Sequence, residues 1–307
     1  MSSGTGKVLV TGASGLIGSG VAARLRADGV PVVAIDIVPG EGVVACDVTD
    51  VAAVGGIVER ESVGSVIHCG AFSGPMVAVD RPRAVVDVNI GGTATLLEAA
   101  RTHGLGRVVY CSSLSVYGPT DPVPVTEETR THPTSVYAAS KAAGESLVLA
   151  YAAQHGVDGV ALRIAAVYGP GRRTSCFIRD LLDSARAGVP TVVPYAGDVP
   201  AQYVYVDDAV EAVVLAWAAP AVTRRVMNVT GPRATTAAEV AEAAAAVVPG
   251  TEVRFDPDPG AEEPERQGPL VGDLAAAEIG YRPRWSLAEG IAAYERYLRR
   301  AEDTPVH

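Results

Sequence analysis

The chain has 307 residues, 48% of them apolar and 20% charged, enough to bury a substantial core and too apolar for disorder to be its main theme. Its formal net charge is −10 with no block of lysines or arginines, which argues against nucleic acid or a membrane surface and points to a small-molecule partner. No apolar run reaches membrane-spanning length, and MSSGTGK passes into VLVTG too soon for a signal peptide, so a cytoplasmic protein is expected.

In chain order, short β-branched runs alternate with helix-forming stretches: VLV (8–10), VVAI (32–35), GVVAC (42–46), SVIHC (65–69), RVVYCSS (107–113) and GVALRI (159–164). That rhythm predicts βαβ units and an α/β fold, a doubly wound parallel sheet of the Rossmann type. Beyond residue 168 the rhythm loosens. QYVYV (202–206) and VMNVT (226–230) read as short strands and DPDPGAEEPERQGP (256–269) as an exposed loop. Residues 1–168 are therefore expected to form the dinucleotide domain with the catalytic groups. Residues 169–307 should form mostly a smaller substrate lobe, with some segments returning to the first domain.

The first strand runs into VLVTGASGLIGSG, which spaces Gly12, Gly15 and Gly18 as G-x-x-G-x-x-G. The first glycine permits a tight turn, the second lets a pyrophosphate approach the backbone, and the third lets helix and strand pack closely. The helix N-terminus then faces the anion. Asp36 closes the second strand at the distance where a carboxylate accepts from a ribose hydroxyl and repels a 2′-phosphate, so NAD is expected over NADP.

HPTSVYAASKAAGE (132–145) places Tyr137 and Lys141 four residues apart, on one face of a helix. His68, alone at a strand end, reads as structural. Cys46, Cys69, Cys111 and Cys176 stand far apart with no ligand spacing, so neither a metal site nor a disulfide framework is expected.

Taken together, TGASGLIG (11–18), CDV (46–48), HCGA (68–71), VNIGGT (88–93), YCSSLSVYG (110–118), YAASK (137–141), LRIAAVYGPG (162–171), VYVDDAV (204–210) and GYRPRWSLAEGI (280–291) make the chain resemble the extended short-chain dehydrogenase/reductases of the NAD-dependent epimerase/dehydratase type. The resemblance covers nearly the whole length. It implies a catalytic set of Ser113, Tyr137 and Lys141: Tyr137 moves the hydroxyl proton, Ser113 holds the reacting oxygen, and Lys141 binds the nicotinamide ribose while its charge favours the phenolate. It also implies cofactor contacts at Gly12, Gly15, Leu16, Ile17, Gly18, Asp36, Ile37, Asp47, Val48 and Ala71, with Asn89, grouped among them, supporting a central helix. Ser73, Ser113, Arg172, Arg173 and Arg266 are candidates for the substrate.

Two departures from the family pattern bear on that substrate. Members acting on nucleotide-diphosphate sugars carry an asparagine where Ala166 stands and a phosphate-gripping arginine where Ala201 stands. A methyl group can neither fork onto a phosphate nor donate to one. The family's 4,6-dehydratases carry an acid and a base after the serine position, and here Leu114 and Ser115 follow, which argues against dehydration. The expected function is NAD-dependent hydride transfer at a secondary alcohol of a sugar-like or hydroxy-acid-like substrate. A nucleotide-sugar 4-epimerase is one alternative, and a non-catalytic NAD-sensing or scaffold protein another. A homodimer is expected through GGTATLLEAARTHG (91–104) and SVYAASKAAGESLVLAYAAQHG (135–156). Ala94, Leu97 and Ala100 in the first, and Ala142, Leu147, Leu149 and Tyr151 in the second, spread apolar surface around more than one side.

Overall fold

The apolar runs become parallel strands, all but the edge strand at 43–45 largely buried, in the computed structural model, which describes residues 6–260 and 264–303. The elements in order are β1 (Lys7–Thr11), α1 (Leu16–Ala27), β2 (Val32–Asp36), β3 (Val43–Ala45), α2 (Val51–Arg60), β4 (Val63–His68), α3 (Pro82–Val86), α4 (Gly92–His103), β5 (Val108–Ser113), α5 (Val136–His155) and β6 (Gly159–Ile164). There follow β7 (Ala166–Tyr168), α6 (Phe177–Ala187), β8 (Thr191–Val193), β9 (Pro200–Ala201), β10 (Tyr203–Tyr205), α7 (Val206–Ala218), β11 (Val226–Val229), β12 (Thr235–Thr236), α8 (Ala237–Val247), β13 (Val253–Phe255), α9 (Asp273–Ile279) and α10 (Leu287–Asp303).

The main sheet has seven strands in the order β11-β6-β5-β4-β1-β2-β3, every neighbouring pair parallel. Because side chains alternate across a strand, β1 sends Val8 and Val10 to one face and Leu9 to the other. Val8 and Val10 join a core that includes Val21 and Leu25 of α1 and Ala209 and Val213 of α7. Leu9 joins a second core with Val54 of α2, Leu96 and Leu97 of α4 and Val148 of α5. The sheet is thus covered on both faces, as expected of an all-parallel sheet.

VMNVT is a strand, and it is one of the segments that return to the first domain: Val226–Val229 pairs with β6 as an edge strand of the main sheet. QYVYV does lie outside it, as β10 paired with β7, and Val206 already begins α7. Two further small pairs, β9 with β12 and β8 with β13, complete the smaller lobe with α6, α8 and α10. The loop around 256–269 is irregular where described, but Gln267 and Gly268 are buried rather than exposed; residues 261–263 of that stretch lie outside the described residues.

Local signals fix the helices that carry the site. Ser135 caps α5, its hydroxyl accepting from the N–H of Ala138 at 3.1 Å, and Gly156 ends it in the left-handed conformation (φ 70°). A π-helical turn, Asp87–Gly91, joins α3 to α4 and carries Asn89 into the interior. Near the start of α7 the buried carboxylate of Asp208 accepts from the N–H groups of Arg284 and Trp285, each at 3.0 Å, and the Trp285 ring lies 4.3 Å from that of Tyr205, centroid to centroid. Thus VYVDDAV and RPRW, some 75 residues apart, form one structural joint.

Candidate active site

The glycine-rich turn connects β1 to α1 at the C-terminal edge of the sheet. Gly12 has φ +66°, and a Cβ there would stand 2.6 Å from the N of Gly70; a Cβ on Gly18 would overlap the carbonyl oxygen of Gly12. Only glycine permits this approach of β1, α1 and the end of β4. The cradle so formed, with a helix N-terminus facing it, fits a dinucleotide diphosphate. Beside it lies a cleft of about 510 Å³ lined by Ser14, Gly15 and Ser19 and by Arg172, Arg173, Arg179 and Arg186. Four guanidinium groups stand next to the turn; Arg179 and Arg186 both pair with Asp183, at 2.5 and 3.5 Å, so four cations against that one carboxylate leave the cleft net positive and suited to an anion.

Asp36 stands at the end of β2, with Oδ2 accepting from Ser14 N–H at 3.0 Å and Oδ1 from Val38 N–H at 2.9 Å. These bonds hold the carboxylate beside the glycine turn while leaving lone pairs for a ribose hydroxyl. Asp36→Ala is expected to narrow a preference for NAD over NADP; equal affinities of the unmodified protein for the two, measured by titration, would contradict this role. Leu16 and Ile17 are half-buried against the core under the turn, and Ile37 is exposed beyond β2. Asp47 is exposed and accepts from Thr49, Val48 packs inward where a Cβ on Gly92 would meet it, and Ala71 lies half-buried after β4.

Asn89 is buried, and its amide is engaged with protein groups. Its Oδ1 accepts from Phe72 N–H at 2.9 Å, and its Nδ2 donates to Phe72 O at 3.2 Å and to Ser140 Oγ at 2.8 Å. The π turn therefore ties the 72–74 loop to α5. His68 is similarly spent. Thr93 donates its hydroxyl proton to Asn89 O at 2.6 Å, so it accepts from His68 Nε2 at 3.2 Å, leaving Nδ1 to accept from Thr11 at 2.7 Å. Burial, and then the Lys141 charge, push the His68 pKa down to about 3 from an ordinary 6.5. Between those values the unfolded chain takes up a proton that the folded chain refuses, so stability is complete above pH 6.5 and falls toward pH 3. His68→Asn should flatten the decline of unfolding free energy across that window; an unchanged slope would contradict the buried neutral imidazole.

Tyr137 and Lys141 project from the first turns of α5 and are both buried. Lys141 Nζ donates to the carbonyl of Cys111 at 2.7 Å and lies 5.0 Å from the ring centroid of Tyr110 and 5.9 Å from that of Tyr137. Burial pushes the Tyr137 phenol above its ordinary value, while hydrogen bonding with Ser113, Ser73 and the backbone of Gly74 pulls it down. Burial is the largest influence on the phenol, and burial also pushes the Lys141 ammonium down. Ser113 ends β5 with its Oγ 3.2 Å from that of Ser115. Sequence reasoning had no signal for Gly74 beyond the Gly-Pro turn that follows Ser73.

A second cavity, of about 170 Å³, lies on the substrate side, lined by Leu114, Ala166, Ala201, Tyr203 and Gln267 among others. Ala166 and Ala201 thus come together, on β7 and β9, at the place where the family pattern carries an amide and a guanidinium. The arginines that were substrate candidates, Arg172, Arg173 and Arg266, are not among the residues that line it. Arg172 is folded back on its own loop, donating to the carbonyls of Val167, Thr174 and Ser175. Arg173 faces the cleft beside the glycine turn, and Arg266 pairs with Asp198 at 3.0 Å. Arg179 and Arg186, which sequence reasoning missed, stand two helical turns apart on α6, a spacing that places them on one face.

The family model described as the NAD-dependent epimerase/dehydratase family matches residues 8–235. The UDP-glucose 4-epimerase of Mycolicibacterium smegmatis is 32% identical over 320 residues, which cover 95% of this chain and 98% of that protein. Among solved structures, the UDP-glucose 4-epimerase of Thermotoga maritima with UDP-glucose superposes with a TM-score of 0.88 at 25% identity, covering 96% of this chain and 99% of that one. A GalE-like L-threonine dehydrogenase from Cupriavidus necator in its holo form does so with a TM-score of 0.84 at 28% identity, covering 95% and 99%.

Proposed function

The chain belongs to the NAD-dependent epimerase/dehydratase family and takes NAD as its cofactor, and from that premise we propose that it moves a hydride at a secondary alcohol of a small sugar-like or hydroxy-acid-like substrate bearing no diphosphate. The observation that carries this reading is the meeting of Ala166 and Ala201 in one small cavity with no guanidinium on its wall among the described residues. A diphosphate there would lose its water and gain no cationic fork in return. Bound NAD supplies the hydride acceptor or donor. Tyr137 takes the hydroxyl proton in the oxidative direction and returns it in the reductive one, and Ser113 and Ser73 hold the reacting oxygen beside it. Lys141, fixed by the Cys111 carbonyl, serves the nicotinamide ribose. Arg173, on the wall of the cleft beside Gly15, is placed to meet the cofactor diphosphate. Dehydration is not part of this reading, since Leu114 lines the cavity and Ser115 pairs with Ser113 where an acid and a base would be needed.

A second reading, a UDP-sugar 4-epimerase, is favoured by the similarity to the Mycolicibacterium smegmatis enzyme along nearly the whole of both chains. Cofactor state separates the two. An enzyme that returns the hydride to the same substrate retains its NAD, whereas a dehydrogenase must exchange it. The expected result is that the protein loses its NAD on dialysis and, once NAD is added back, forms NADH from small hydroxy acids, hydroxy-amino acids or free sugars. Stably retained NAD with no NADH released from any of them would favour the epimerase.

We also assign the α4–α5 face to a second copy of the chain. Leu97 and Ala100 are spent on the core, but Ala94, Ala142, Leu147 and Tyr151 are only half-buried and Leu149 is 42% exposed. The C-terminal segments do not account for this face: α7 packs on α1, on the other side of the sheet. Sedimentation at micromolar concentration should give a homodimer, and a monomer would contradict the assignment. The setting we propose is cytoplasmic, in keeping with four unpaired thiols. No helix among the described residues is long and apolar enough to cross a membrane.

A further inference from the structure

Cys69 and Cys111 are separated by 41 intervening residues in the chain and meet in the fold. His68 of β4 is registered opposite Tyr110 of β5, so the residues that follow them stand side by side on neighbouring parallel strands. Their sulfurs are 3.5 Å apart, both free, with Cys111 buried and Cys69 half-buried. Backbone separations of adjacent strands, about 5 Å, fall within the range that a disulfide spans, and closing the bond asks the sulfurs to move together by roughly 1.5 Å.

We propose that Cys69 and Cys111 form a reversible disulfide beneath the active site, a redox-sensitive modification site that uses hydrogen peroxide as oxidant. The hydrogen bond from Cys69, and then the charge of Lys141, hold the Cys111 thiol below its usual value, which makes its sulfur the nucleophile. The Cys111 thiolate attacks one peroxide oxygen, the O–O bond breaks, and hydroxide leaves with a proton as water, giving a sulfenic acid. The Cys69 sulfur then attacks that sulfur, the S–OH bond breaks, and the oxygen departs with the Cys69 proton as a second water. Two thiols lose two electrons and peroxide gains them.

The bond would act on the site through the backbone at both of its ends. Cys111 O is the acceptor for Lys141 Nζ at 2.7 Å, and Cys69 N–H donates to Thr11 O at 3.3 Å just before Gly70, whose N–H donates to Thr11 Oγ1 at 3.1 Å. Drawing the two strand ends together shifts the ammonium's anchor and the segment that abuts the glycine turn, so the oxidised protein binds NAD more weakly.

The test uses the full-length protein treated with hydrogen peroxide, then unfolded and alkylated for thiol counting and peptide mass mapping. Four alkylatable thiols should fall to two, with Cys69 and Cys111 in one linked peptide, and dithiothreitol should restore all four along with the original NAD affinity. Cys69→Ala should lose no thiol pair and keep its NAD affinity under the same treatment; should that variant fail to fold, the mapped linkage in the unmodified protein decides alone. Four remaining thiols, loss of Cys46 or Cys176 instead, or a sulfinic Cys111 beside a free Cys69 would overturn the site. A linked pair with unchanged NAD affinity would overturn its coupling to the cofactor.

Discussion

Tyr137→Phe is expected to lower turnover by about 10²–10⁴ while leaving NAD affinity nearly unchanged. The phenol is 8% exposed, and its ring packs under Lys141 whether or not it carries oxygen. Removing the oxygen leaves the packing intact and deletes the proton carrier that Ser113, Ser73 and Gly74 surround. Because burial holds this phenol above its ordinary range, alcohol oxidation, which needs the phenolate, should accelerate as pH rises through neutrality. Carbonyl reduction, which needs the phenol, should not. Measured kcat and a separate NAD titration check the claim. A variant with ordinary turnover would move the acid/base role elsewhere.

The second large effect concerns stability. Glu145, two helical turns beyond Tyr137, forms a buried pair with Arg163 of β6 through bonds of 2.7 Å to Nη2 and 3.0 Å to Nε, and accepts from Ser112 at 2.5 Å. Arg163 also donates to Tyr117 at 2.9 Å, and Tyr117 donates to Asn228 of β11 at 2.7 Å. This chain of bonds locks the catalytic helix to three strands, β5, β6 and the edge strand β11. Glu145→Ala leaves an uncompensated guanidinium in the interior and should cost about 3–5 kcal/mol, read from the denaturant midpoint. Replacing both partners, Glu145→Leu with Arg163→Met, should recover much of that loss, because neither charge is then left behind. A single variant within about 0.5 kcal/mol of the unmodified protein would show that the pair is not the anchor.

What the sequence disclosed and what it hid divide along physical lines. Strands β1, β2 and β4 to β6 were legible because parallel strands buried on both faces are continuous apolar runs, and the glycine turn because Gly12 and Gly18 admit no Cβ. The pairing of β11 with β6 was not, since a strand's sheet is decided by a partner 65 residues away. The strands β9 and β12, two residues each, are too short to show any period. The π turn that buries Asn89 leaves no mark in composition. Side-chain direction was the other blind spot. Arg172 and Arg266 looked available because loops near a pocket often reach it, but one folds onto its own carbonyls and the other onto Asp198. The apposition of Cys69 with Cys111 depends on the register of two strands, which spacing along the chain does not express.

The substrate assignment is tested most directly by calorimetric titration of the NAD-loaded protein with UDP-glucose, with UDP alone as a second titrant. With Ala166 and Ala201 where an amide and a guanidinium would grip a diphosphate, neither should bind at micromolar concentration and no UDP-galactose should form. Saturable micromolar binding of UDP, together with conversion of UDP-glucose to UDP-galactose, would contradict the assignment and establish the 4-epimerase in its place.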